Sequence, residues 1–524
     1  MTSRVLLAFA ILLFAFYPVF SQESVDEVHE TDELLQNEEI IFDEALSEDG
    51  PLYIIHSFVY HVTGRTLPFV LNHKTELKTG EEIKGTANLE KFIQDKRQLL
   101  INERVLKDNV RIEYEVIEIE EGEKFLVDLD IFVEDTWNII ALPQPKYSSN
   151  SGLEITIKAR DYNFLGTMTA LRFDIGYRYD QEGRSYWTLM LDSGIPFELF
   201  GLNWHFDFEN DFHYRPDRDK PYYFRNIGGL SVELPISTTV LKIGLKEHFI
   251  VNEENAEVDW VHYGEFQEGL YMSSRPYFSW RIPTGLEIGE FGMLTYTPGA
   301  SGVFNHQISP WELSDNRYGA TATVSHSLGF GRVNWIGNLK EGLSMSVSNS
   351  FSRHYSYSRN EWDAVTSYVG FTGAGYLTFT EWLGFSARLM YRHWFNSHHE
   401  KAGDVLRGII DRDVFSQYMV SLNLDLPFRV LRFRPSEWFS DFNFMRIFDF
   451  DLQLVPVADI AFNQDNRLPV TYNYDNLLAS GGLEMIVFPS RWRSLYFRIS
   501  AGWDFDSTRP RIPDEIFLGM ELFY

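Results

Sequence analysis

The 524-residue sequence contains no cysteine, so neither a structural disulfide nor a lipid-anchored N-terminal cysteine is possible. Beyond the first twenty residues it lacks any run of about 18 apolar residues, the length that a transmembrane helix needs. Positive charge is scarce. Lys and Arg number 46 against 75 Asp and Glu, a net charge of −29, which argues against nucleic acid because phosphates would not be neutralised. Catalytic signatures are missing too. No P-loop or Rossmann fingerprint occurs. Gly299-Ala300-Ser301-Gly302-Val303 lacks the second glycine spacing of a nucleophile elbow. His398-His399-Glu400 has no second cluster at metal-ligand spacing and reads as loop. A non-enzyme without metal or cofactor is the expectation.

What is plentiful is aromatic: 43 Phe, 27 Tyr and 13 Trp, or 16 % of the chain. A soluble protein seldom carries so many, whereas a membrane barrel uses them as girdles at its two interfaces. The chain opens with Arg4, an apolar run from Val5 to Phe16 and then Val19-Phe20-Ser21, the layout of a secretory signal peptide over 1–21. Residues 22–50 follow as an acidic tail. Glu23 to Gly50 holds twelve Asp or Glu and no Lys or Arg, a composition that favours a solvated, disordered segment.

Residues 51–135 read as a small α+β module. Tyr53 to Val62 suits a strand, Leu67 to Ile83 and Asn88 to Leu106 carry apolar residues at helical spacing, and Arg111 to Ile119 and Lys124 to Val133 alternate as two more strands. The expected order is strand, helix, helix, strand, strand. Residues 136–150 are then left as a linker.

From 151 to 524 the chain becomes a series of alternating segments divided by Gly, Asn, Asp and Pro. Leu171, Phe173, Ile175, Tyr177 and Tyr179 alternate with Arg172, Asp174, Gly176, Arg178 and Asp180; Leu495 to Phe505 behaves likewise. The last ten residues repeat the pattern, with Ile516, Leu518, Met520, Leu522 and Tyr524 on one face and Phe517, Gly519, Glu521 and Phe523 on the other. An uncapped apolar strand at a terminus is a liability unless it pairs with the first strand and closes a barrel. Roughly 16 strands fit the region, an even number as bacterial barrels have. The fold class is therefore mainly β: a transmembrane antiparallel barrel behind a small α+β domain.

Several stretches add a family resemblance. "KFLVDLDIFVED" (Lys124 to Asp135), closing the small module, resembles the end of a POTRA domain, the periplasmic repeat that precedes barrels of the BamA/TamA superfamily. "KAGDVLRGIIDRDVFSQYMVSLNLDLPF" (Lys401 to Phe428) resembles that superfamily's sixth loop, with Arg407, Gly408 and Ile409 at its motif. Leu406 and Ile409 depart from the family's usual β-branched and aromatic flanks. Asp459, in "LVPVADIAF", occupies the matching later strand, "DYNFLG" (Asp161 to Gly166) looks like the family's first hairpin, and Gly519, Phe523 and Tyr524 fall on its closing strand.

The resemblance, which covers about 51 to 524, implies that the loop folds into the lumen and that Arg407 pairs with Asp459. It implies a bacterial outer-membrane location with residues 51–135 in the periplasm. The implied partners are membrane lipids, unfolded barrel clients or a secreted polypeptide, and accessory lipoproteins at the small module. The implied activity is insertion of other barrels, or translocation of chains, without ATP. A dedicated secretion pore for one partner is an alternative, which the single POTRA-like copy argues against. A passive porin or structural surface barrel is another, and leaves the module and the Arg407 loop unexplained.

Overall fold

A computed structural model describes residues 50–120, 122–148, 152–179, 185–216, 221–252, 270–309, 319–395, 400–401, 405–409, 415–439, 443–464, 477–505 and 513–520. The signal peptide and nearly all of the acidic tail expected at the N-terminus lie outside the described residues, as do Phe523, Tyr524, His398 and His399. The chain divides into two compact units: residues up to 59 with 77–97 and 112–131, and residues 60–76 and 98–111 with everything from 132 onward.

The first unit is built on a four-stranded sheet of β1 (Leu52–Thr63), β2 (Glu82–Lys84), β3 (Arg111–Glu120) and β4 (Lys124–Glu134), in the order β2-β1-β4-β3. Ile55, Leu77, Ile83, Leu89, Ile93, Val127, Leu129 and Ile131 form its buried core. Asp128 ties β4 to β1 by accepting from Ser57 Oγ at 2.5 Å and His56 Nδ1 at 2.8 Å. β3 is an edge strand whose Tyr114, Val116, Ile117 and Ile119 stay exposed.

Two helices occur in this part of the chain, α1 (Pro68–Thr75) and α2 (Thr86–Asn102). The helix expected from Leu67 to Ile83 stops early. Glu76 takes a left-handed conformation, Gly80 turns the chain at φ +82, and residues 82–84 pair with β1 instead. The short apolar spacing of 77–83 suited a helix and a buried strand alike, and strand pairing decided it.

The second unit is a closed antiparallel barrel whose order names twenty strand segments. Glu361–Trp362 and Thr366–Thr380 share one stave, since both pair with Leu339–Ser356; Tyr418–Asp425 and Phe428–Phe433 share another, broken at Pro427. Eighteen staves therefore go round among the described residues, against the sixteen expected. One of the extra staves is Ile139–Ser148, inside the stretch 136–150 assigned to a linker. Pro143 and Pro145 hide it from strand patterning, yet residues 139–148 pair in register with 152–161 throughout. As a result "DYNFLG" is the turn after the second strand rather than the first hairpin.

The barrel is polar inside and apolar outside. On the strand Gly152–Asp161, Ile155 and Ile157 are exposed while Thr156 between them is buried; Asp174 is buried beside exposed Ile175, and Ser231 beside exposed Leu230. A sheet in water would show the reverse. Exposure of alternate large apolar side chains around a closed barrel is the pattern that lipid selects. No helix among the described residues is long and apolar enough to cross a membrane.

One end of the barrel carries two-residue turns at Phe200-Gly201, Ser237-Thr238, Gly337-Asn338 and Glu381-Trp382. Within this unit, residues 98–111 seat against that end. Arg104 donates to the Arg493 carbonyl, bonds Asn338 Oδ1 at 3.0 Å and lies 4.4 Å over the Trp335 ring; Arg493 returns a bond to the Leu106 carbonyl at 2.6 Å. Burial, then the neighbouring Arg493, pushes the Arg104 guanidinium down to about 9, still protonated at neutral pH. Residues 64–67 hold the turn after the second strand: Asp135 accepts from Thr66 Oγ1 at 2.6 Å and from buried Asn163 at 3.0 Å.

Candidate functional site

The loop segment Val405–Ile409 lies inside the barrel, and its placement follows from residue chemistry. Val405, Leu406 and Ile409 are apolar and join Met390, Met419 and Ala461 in a buried cluster. Asn423, fully buried, donates to the Val405 carbonyl at 2.8 Å. Arg407 is 3 % exposed, a position that a guanidinium tolerates only when paired.

Its pairing is dense. Arg407 donates to Asp459 from Nε at 3.0 Å, from Nη2 at 2.6 Å and from its backbone N at 2.7 Å. Nη1 stands 2.6 Å from Asp425 and 3.6 Å from Glu484, which also accepts from Arg498 at 2.9 Å. Burial opposes the charge on Arg407, but hydrogen bonding to Asp459 and the carboxylates of Asp425 and Glu484 outweigh it, so its pKa stands above the ordinary guanidinium value. The fork geometry of arginine makes the two-pronged contact with one carboxylate possible while a third nitrogen reaches another.

Gly408 carries the tip. At φ +85 it occupies the left-handed region, and a Cβ there would stand 2.7 Å from the Trp503 nitrogen. Gly502 meets it from the opposite side, where a Cβ would stand 2.5 Å from the Gly408 nitrogen. Two glycines thus let backbone touch backbone. The Gly408 N–H then donates to Glu515 at 2.7 Å.

The charged partners follow the barrel order. Asp425, Asp459, Glu484, Arg498 and Glu515 come from five successive staves, the last being the closing strand Glu515–Gly519. Arg498 lies 4.2 Å under the Phe517 ring of that strand, and Gly519 sits opposite Arg498 in the register. One loop tip therefore holds the final five staves together. The closing strand meets the first barrel strand over two described residue pairs, Phe517 with Ser148 and Leu518 with Tyr147.

Of the residues singled out in the sequence, Arg407, Gly408, Ile409 and Asp459 come together, and Gly519 lies on the adjoining closing strand. Asp425, Glu484, Arg498, Glu515 and Gly502 were not singled out. Their only sequence signal is an inward position in an alternating strand, which dozens of other polar residues share. Elsewhere on the inner wall, Asp192, Asp207, Glu209, Lys246, His248 and Arg275 line an open recess of about 370 Å³. No group of three metal-ligating side chains occurs among the described residues.

Fold and site together define a β-barrel with a lipid-facing exterior and a loop folded into its lumen, where it bonds the closing strand. No family profile and no curated protein sequence matches the chain. Among solved structures it is similar to CdiB from Acinetobacter baumannii, at 10 % identity and TM-score 0.47 over 89 % of this chain and 73 % of that one. It is also similar to BamA from Haemophilus ducreyi lacking POTRA domains 1–3, at 12 % identity and TM-score 0.37 over 96 % of both chains, and to CdiB from Escherichia coli, at 8 % identity and TM-score 0.39 over 94 % and 99 %.

Proposed function

We propose that this protein acts in the outer membrane as an insertion or translocation factor for polypeptides, working at the seam of its barrel, and that it is not an enzyme. The observation that carries the reading lies at the junction of Glu515–Gly519 with Ile139–Ser148, where Pro143 and Pro145 remove two backbone donors from the first strand. A strand edge in lipid is costly to leave open and readily accepts another strand. Proline is tolerated in a sheet where its missing donor faces away from the ladder, and residues 139–148 are in register with 152–161 throughout, so the donors are missing toward the seam.

The POTRA-like α+β unit supports the same reading from the other side. Its edge strand β3, with exposed Tyr114, Val116, Ile117 and Ile119, is suited to receive an extended client or accessory chain by strand addition. No energy source is needed if each client strand exchanges one set of backbone bonds for another.

The absence of native cysteine makes a clean test possible. Tyr147→Cys with Leu518→Cys joins the seam at a register pair. The reduced variant is expected to fold and to support client insertion in reconstituted vesicles. Oxidation should abolish insertion without unfolding the barrel, and reductant should restore it. Equal insertion by the oxidised form would overturn the proposal. Depletion in the native cells then sorts the role: a fall in all other barrels marks a general insertase, and the loss of one or two marks a dedicated translocator.

A further inference from the structure

Between the strands Phe428–Phe433 and Phe450–Gln464 the chain does not turn in two residues, as it does at four other hairpins of that end. It runs through a short helix, α3 (Pro435–Trp438), and a 3-10 segment, Asn443–Phe448, which pack on each other. Part of its polar set anchors it to the barrel: Ser436 bonds Asp449 through both N and Oγ, and Arg434 donates to Asp451 at 2.7 Å and to the Phe450 carbonyl at 2.8 Å, while Glu437 and Arg446 are exposed. Its large apolar groups, Trp438, Phe439, Phe444, Ile447 and Phe448, remain 42 to 67 % exposed.

Water is a poor environment for five such side chains at one place. The exposed set continues the lipid-facing surface of the barrel. Val430 and Leu431, exposed on the preceding strand, lead into it, and Trp382 of the neighbouring turn stacks on Phe428 beside it at 6.5 Å. Aromatic side chains concentrate where a bilayer's headgroups meet its acyl chains, because one part of the ring system is apolar and the rim is polarisable.

We propose that residues 435–439 and 443–448 form an interfacial collar that beds into the phospholipid leaflet at the short-turn end of the barrel. The occupant of this apolar face is the bilayer surface itself. The collar adds a laterally projecting foot to the ordinary aromatic belt, and it fixes the height of this side of the barrel in the membrane.

The test uses the full chain in phosphatidylcholine vesicles. Phe439→Cys and Phe444→Cys each introduce the only thiol, which is given a nitroxide label; Val324→Cys on the lipid face and Ser237→Cys in a turn at the same end serve as references. Relaxation by oxygen relative to a water-soluble nickel chelate is measured at each site. Labels at 439 and 444 are expected to shift toward the lipid value at 324 and away from the aqueous value at 237. An aqueous value at both, with 324 still lipid-like, would overturn the collar while leaving the barrel in the membrane. An aqueous value at 324 as well would overturn the membrane reading on which it rests. Labels that become shielded only when an envelope protein fraction is added would mark a protein-docking face and also overturn the proposal. The unsubstituted protein provides a second readout: a lipid carrying a diazirine near the acyl carbonyl should crosslink to peptides from 435–448, and absence of crosslinks there, with crosslinks elsewhere on the barrel, counts against the collar.

Discussion

Arg407 is buried among three carboxylates, so replacing it does more than delete a contact. Arg407→Ala leaves Asp459 and Asp425 buried without their cation, and the expected loss is roughly 3–5 kcal/mol in unfolding by urea. Arg407→Lys keeps the charge but not the fork, and should recover only part of it. Gly408 is the more specific probe. Gly408→Ala forces a side chain into a positive φ and against the backbone of Trp503, at a cost of about 1–3 kcal/mol. Because the tip also bonds Glu515, the expected outcome is a displaced loop and a loosened closing strand, read as faster proteolysis near 400–415 while the remaining staves stay folded. At this scale the sequence was informative through motif and not through periodicity. Arg407 and Asp459 stand out because of what surrounds them in the chain, whereas Glu484 and Glu515 look like any inward carboxylate until the staves are placed side by side.

At the scale of elements, alternation made the barrel strands readable, and composition misled only where two signals collided. Ile139–Ser148 holds two prolines, which normally remove a segment from a sheet; a strand beside a seam is the exception. The 77–84 stretch was short enough to suit either period, and only pairing with β1 decides it. In the first unit, β1 and β4 are linked through Asp128, whose pKa is lowered chiefly by the hydrogen bond from Ser57 and then by that from His56. A carboxyl lowered in the folded state stabilises it above the unfolded pKa and loses that contribution as pH falls through the folded one. Amide protection factors in residues 52–59 and 124–131, corrected for the intrinsic exchange rate, should therefore fall on acidification below the ordinary carboxylate range. Asp128→Asn should flatten that dependence, and an unchanged acid response in the variant would point to other carboxylates.

For the whole molecule, the inside-out arrangement sets the expected response to charge. Val347 lies at the middle of the strand Leu339–Ser356 and is exposed on the outer face, while Ser348 faces the lumen. Val347→Arg should cost about 2–4 kcal/mol when the barrel folds into lipid, and Ser348→Arg should cost little. Equal penalties in a vesicle-refolding titration would contradict the assignment of faces. Alternation alone was never able to say which face is the outer one, because a soluble sandwich has the same period. The aromatic excess of the chain pointed to lipid, and closure of the sheet with buried Thr156, Asp174 and Ser231 inside is what orients it.

The bond from the Gly408 N–H to Glu515 joins the tip of the inward loop to the first residue of the closing strand. A strand that slides or peels from the seam must break it, and the free energy so lost is felt equally in both directions. Traction on residues 400–415 from beyond the barrel would slacken the seam, and a chain wedged into the seam would loosen the loop. If the seam opens as proposed, the tip would act as a two-way transmission, in which the state of a crack facing lipid is read, and set, from inside the pore.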